Sequence, residues 1–159
     1  MIIHNNHFDR YSALMDLYAA NAPFRASDPG YISALYILSA DDDLYRLSLC
    51  HIDSDGINFS KIRSCARRGN LSAAQMTLLG VAGSLFNESG KAPTPHDLAQ
   101  CSYCVLGIIV NALYLWKNGR TIQRADDASI AFDASAEVIK HASECQLNAD
   151  RIKMLAALA

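Results

Sequence analysis

The chain of 159 residues is poor in the motifs that announce chemistry. It has no Gly-x-Gly-x-x-Gly and no Gly-Lys-Ser/Thr, so neither of the common phosphate-cradling loops is built into it. Histidines 4, 7, 51, 96 and 141 show no metal-ligand spacing, and no pair of carboxylates stands in a recognisable catalytic frame. No cofactor is called for. Charge is scarce as well. Only 19% of the residues are charged and the formal net charge is −2, which gives no global electrostatic case for nucleic acid or a membrane surface. The opening MIIHNNHFDRYS lacks a charged n-region and a long apolar h-region, so no secretory signal is expected there. Internal repeats, low-complexity tracts and strand-like alternation of any length are missing too.

What is present is apolar and helical. Hydrophobic residues make up 51% of the chain, enough for a compact globule, and the length suits one domain with a sizeable core. The five cysteines, at 50, 65, 101, 104 and 145, are odd in number and scattered. That distribution suits buried reduced thiols better than a disulfide framework, and a reducing cytoplasm follows.

Residues 102–117, SYCVLGIIVNALYLWK, form the most apolar stretch. On a helical net Tyr103, Leu106, Val110 and Leu113 share one face, and Cys104, Ile108, Ala112 and Leu115 a second. A helix apolar nearly all round belongs in a core or a membrane. A membrane span needs roughly 20 apolar residues, and Asn111 and Lys117 interrupt this run. The sequence therefore predicts an all-α fold: a single domain over 1–159 of six to eight helices around 102–117 as a buried central helix.

The other helices are read from caps and spacing. Phe8, Tyr11, Leu14, Met15 and Tyr18 give His7 to Asn21 an amphipathic pattern. Asp28-Pro29 starts a helix whose Tyr31, Leu35 and Leu38 share one face. Asn58 caps a short helix running to Arg67 or Arg68, with Gly69 expected at its C′ position. Ser72 with Gln75 is a capping box; the helix behind it aligns Ala73, Thr77, Gly80 and Ser84, a small-residue stripe expected to meet Gly107 of the central helix. Thr94-Pro95 starts another. The last forty residues read as one or two peripheral helices, over 126–145 and 148–158. The second carries Ile152, Leu155 and Leu158 on one side, a stripe that folds back or pairs two copies into a dimer.

Two charged clusters are the candidate interaction residues. Asp41, Asp42 and Asp43 open a helix, where carboxylates favour the positive end of the dipole. Lys61, Arg63, Arg67 and Arg68 form a basic group, of which Arg67 and Arg68 suit a helix C-terminus. Few aromatics are interleaved with them, against a single-stranded nucleic-acid site. Asp53-Ser54-Asp55-Gly56 is a turn; as a calcium loop it would place His51 and Ile62 at ligand positions, which excludes it. Cys101-Ser102-Tyr103-Cys104 is the one motif with chemical precedent, but zinc needs a second pair of ligands.

Three stretches carry a resemblance: YISALYIL at 31–38, then 78–87 followed by Gly90 and Pro93, then Cys101-Ser102-Tyr103 leading into the apolar helix. Together with His7-Phe8 they resemble a family of small helical proteins encoded by bacterial phages and mobile elements. The similarity covers 4–117 and departs between Asp41 and Asn70. That family has no established activity, so it implies context rather than residues. The expectation is a non-enzymatic protein-binding module acting in the cytoplasm of a bacterial host. Its partner would be a host protein, in the most concrete version a defence effector, which would make it an inhibitor of the anti-CRISPR type. The alternative is a small metal-binding domain or enzyme using Cys101 and Cys104.

Overall fold

Six side chains decide where six helices begin. The computed structural model describes residues 6–86 and 92–118, with the backbone of two further strands at Ile122–Arg124 and Ile130–Phe132. Asn6 caps α1 (His7–Asn21), Asp28 caps α2 (Pro29–Ala40), Asp41 caps α3 (Asp42–Leu49) and Asn58 caps α4 (Phe59–Arg68). Ser72 and Thr94 begin α5 (Ala73–Leu85) and α6 (Pro95–Ala99), each with a reciprocal capping box. In every case a side-chain oxygen accepts a backbone N–H that the helix itself leaves without a partner. α7 (Tyr103–Asn118) completes the seven α-helices of the described residues, with a single 3-10 turn at Pro23–Arg25 between α1 and α2. The all-α class read from the sequence is the fold.

Its centre is another helix. Gly30 and all of residues 32–39 of α2 are buried, and α1, α3, α5 and α7 pack around it. α2 has no charged residue. Its two buried serines answer to their own helix: Ser33 Oγ donates to Pro29 O at 2.7 Å and Ser39 Oγ to Tyr36 O at 2.9 Å. A hydroxyl satisfied in this way can be buried without an orphaned donor. The expectation of a buried central helix at 102–117 is corrected accordingly. α7 flanks α2, burying Ile109, Ala112 and Leu115 and leaving Val110, Leu113 and Tyr114 exposed.

α1 completes the far end of α2. Arg10 donates from Nε to Ser39 O at 2.7 Å and from Nη2 to Ala40 O at 3.2 Å. His7 meets Tyr36 O at 2.9 Å through Nε2, with its ring 4.6 Å from that of Tyr36. Carbonyls at the last turn of a helix have no intrahelical donor, and a guanidinium there also suits the dipole.

At the near end of α2, aromatic rings form a column. Tyr18 lies 4.8 Å from Tyr31, Tyr31 4.5 Å from Phe86, and Phe86 5.1 Å from Phe59. The turn at Asp53 to Gly56 closes a small hairpin of β1 (Ile52–Asp53) and β2 (Gly56–Ile57) beside it. Gly56 has φ +112°, a conformation that favours glycine, and a Cβ there would also press on the Tyr31 ring at 3.1 Å.

Three further expectations are corrected. The left-handed residue after α4 is Asn70, φ +53°, while Gly69 is the C-cap at φ −79°. The small-residue stripe of α5 does not receive Gly107: Pro93 lies against Gly80, where a Cβ would sit 2.8 Å from its ring, and Gly107 faces open space. The stretch from 120 onward is not helical throughout. β3 (Ile122–Arg124) pairs antiparallel with β4 (Ile130–Phe132), inside the helix expected from Asp126. The expected apolar stripe at Ile152, Leu155 and Leu158, and the dimer built on it, lie outside the described residues.

Candidate functional site

The outer face of α7 follows from its spacing. Tyr103, Leu106, Val110 and Leu113 recur at three and four residues, so their side chains line one side of the helix. Ile109, Ala112 and Leu115 occupy the opposite side and reach the core. A helix docked on one side should be polar on the other. This one is not: Tyr103 is 92% exposed, Val110 45%, Leu113 48%, Tyr114 41% and Trp116 50%. Gly107 leaves a notch among them, with no neighbour within 4 Å of where a Cβ would be. Lys117 is the one charge along Tyr103–Lys117. An exposed apolar patch rich in aromatic residues has the composition of an interface core.

A cleft of about 580 Å³ adjoins the last turn of α7, lined by Arg25, Asp28, Tyr31, Leu85, Phe86 and Trp116 among others. Trp116 is held there by its indole N–H, which donates to Leu85 O at 3.2 Å. Asp28 is occupied with the α2 N-terminus, accepting from Gly30 N at 2.8 Å. Arg25 donates to Tyr31 Oη at 2.8 Å and to Asp55 O at 3.3 Å, with its guanidinium 5.9 Å from the Tyr31 ring centre. The cleft thus has aromatic walls and a cation at its rim. Its lining contains no cysteine or histidine, and its one hydroxymethyl group, Ser84, donates to Gly80 O at 2.9 Å.

The charged residues singled out from the sequence fall elsewhere. Asp41 Oδ1 caps α3 and also accepts from Gln75 Nε2 at 2.9 Å; Asp43 Oδ2 accepts from the same amide at 3.1 Å. Asp42 pairs with Arg46 at 2.8 Å, both side chains about half exposed, an ion pair of small worth. Lys61 and Arg67 are exposed on α4 and Arg63 is half-buried. Arg68 turns back along its helix, to Ser64 O at 3.3 Å and to Cys65 Sγ at 3.3 Å. The acidic group therefore has structural occupations, and the basic group divides between solvent and local contacts.

Among the described residues no side chain joins Cys101 and Cys104 in a metal-binding group. Cys101 Sγ donates to Asp97 O at 3.4 Å, and Cys104, expected to be a buried hydrophobe, is exposed. Among the described residues no three His, Cys, Asp or Glu side chains converge as a metal cluster would. No described helix is long and apolar enough to cross a membrane.

A different cysteine has company. Cys65, half-buried on α4, lies 3.5 Å from His51 Nε2 while accepting from Arg68. Fourteen residues separate His51 from Cys65, and nothing in the sequence marks the pair. Only the spacing of three between Cys65 and Arg68 was legible as one helix face.

The titration of His7 is displaced. Burial disfavours its charged form and lowers its pKa from 6.5 to about 4; the contact with Tyr36 O opposes this and nearby Arg10 adds to it.

No protein-family model, curated protein or solved structure matches the chain.

Proposed function

We propose that this protein is a non-enzymatic binding module that receives an amphipathic helix of a partner protein on the outer face of α7. The observation that supports this is the seam of exposed Tyr103, Val110 and Leu113 with the half-buried Leu106 between them, whose three-four spacing matches the knobs of a facing helix. Gly107 provides the hole. Lys117, and Arg25 in the adjoining cleft, put positive charge at one end of this surface, so the partner helix carries a carboxylate there. Trp116 and Tyr114 beside them are the residue types that anchor interfaces. In the phage or mobile-element setting that the resemblance implies, the partner is a host protein, most concretely a defence effector that the module inhibits.

A synthetic helical peptide of 18 residues tests this, with leucines at three-four spacing and two glutamates at one end. Titrated into the full chain, it should change the emission of Trp116, the single tryptophan, in a saturable manner. The same peptide with lysines for the glutamates should bind more weakly, and less so in high salt. Absence of saturable binding by the acidic peptide would contradict the proposal. So would a stable dimer in light scattering with α7 protected from hydrogen exchange, because a second copy would then own the seam. Protection of α7 by residues 119–159 of the same chain, lost when they are deleted, would equally overturn it.

A further inference from the structure

We infer that Cys65, with His51 and Arg68, is a peroxide-reactive thiol and the preferred modification site among the cysteines of the described residues. The inference is independent of the α7 surface. Its geometric basis is the environment of the sulfur. Arg68 Nη2 donates to it at 3.3 Å, and His51 Nε2 stands 3.5 Å away. A thiol has one hydrogen to give. With the guanidinium donating to sulfur, the Nδ1–H tautomer of His51 would turn the Nε2 lone pair toward the S–H. A nucleophile next to a base that can take its proton, with a fixed cation to hold the resulting anion, is the arrangement that activates cysteine.

The backbones of His51 and Cys65 are both tied into the fold. His51 N–H donates to Ser48 O at 2.9 Å, and its carbonyl accepts from Asn58 N at 2.9 Å, pinning the histidine between α3 and the β1–β2 hairpin. Cys65 lies within α4, its carbonyl accepting from Gly69 N at 2.8 Å. Cys65 is also partly open to solvent, so a small hydroperoxide can reach it. The contrast within the molecule is Cys101, whose thiol donates to the carbonyl of Asp97. That acceptor cannot take a proton.

The step is a two-electron oxidation by hydrogen peroxide or an organic hydroperoxide. The proton of Cys65 passes to His51 Nε2. The sulfur then attacks one peroxide oxygen, the S–O bond forms as the O–O bond breaks, and the leaving hydroxide or alkoxide takes the proton from the imidazolium. The products are a sulfenic acid at Cys65 and one molecule of water or alcohol; the sulfur has lost two electrons and the peroxide has gained them.

The test treats the folded full chain with substoichiometric hydrogen peroxide, traps sulfenic acid with a cyclic 1,3-dione, and reads each cysteine by peptide mass spectrometry. Cys65 should be labelled first, on the order of tenfold faster than Cys50, Cys101 and Cys104. His51→Gln should slow Cys65 by on the order of tenfold while leaving Cys50 and Cys104 unchanged. Arg68→Met should slow it as well, with partial recovery in Arg68→Lys. Equal labelling of Cys65 and the exposed Cys50 in the unmutated chain would overturn the inference, and that comparison requires no variant to fold. An unchanged Cys65 rate in a folded His51→Gln variant would overturn it too.

Discussion

Gln75 ties the starts of two helices together through Asp41. Its Nε2 donates to Asp41 Oδ1 at 2.9 Å, while its Oε1 accepts the Ser72 N–H at 2.8 Å. One amide therefore completes the capping box of α5 and braces the cap of α3, thirty-four residues away in sequence. Three aspartates in a row look like a binding site; here two of them serve this joint.

The joint makes a coupled pair. Asp41→Ala removes a cap and should cost about 1 kcal/mol, and Gln75→Ala should cost a similar amount. The double variant should lose less than the sum, by about 0.5 kcal/mol or more, since the two residues share one network. Urea unfolding of the four proteins measures it; strict additivity would mean that the bridge carries no energy.

His7 gives the fold a pH dependence of defined sign. Its folded pKa of about 4 lies below the ordinary 6.5, so between these values the unfolded chain binds the proton more readily. Stability is then full above about pH 6.5 and falls as pH drops toward 4, by on the order of 2–3 kcal/mol from this residue. His7→Gln removes the titrating group. Melting temperatures across this range should fall less steeply for His7→Gln than for the parent, and parallel curves would contradict the assignment.

The identity of the central helix sets a contrast in side-chain costs. Leu35 and Leu38 of α2 are fully buried, so replacing either by Ala should cost roughly 2–5 kcal/mol. Val110→Ala and Leu113→Ala on α7 should stay within about 0.5 kcal/mol, because those side chains face solvent. Hydrogen exchange should likewise be slowest in α2, whose amides open only with the whole domain. Equal costs at Leu38 and Leu113 would return α7 to the middle of the core.

Helix positions were legible in the sequence because caps are local. Asp28-Pro29, Asn58, Ser72 with Gln75, and Thr94-Pro95 each act within a turn of themselves, and the helices start where they indicate. The ranking of helices by depth was not legible. An all-round apolar helix is equally at home in a core and at an interface awaiting a partner, and α2 and α7 are alike in composition. What separates them is tertiary: Pro93 takes the place on Gly80 that α7 was expected to fill, so Gly107 stays open. The strands at Ile122–Arg124 and Ile130–Phe132 escaped because three residues are too few to show a period. The His51–Cys65 contact joins separate elements, and no sequence spacing encodes it.

The central claim is that binding belongs to the α7 seam rather than to the charged groups of α3 and α4. The direct measurement compares the affinity of the acidic amphipathic peptide for two variants and the parent in about 0.15 M salt. Val110→Asp places a carboxylate in the middle of the seam at an exposed position that the fold does not need. Lys61→Glu combined with Arg67→Glu reverses the exposed basic group of α4. The expected result is at least a tenfold weaker Kd for Val110→Asp, about 1.4 kcal/mol, and less than about a twofold change for the α4 pair. An unchanged Kd for Val110→Asp, with binding lost in the α4 variant, would contradict the account and return the site to the basic cluster.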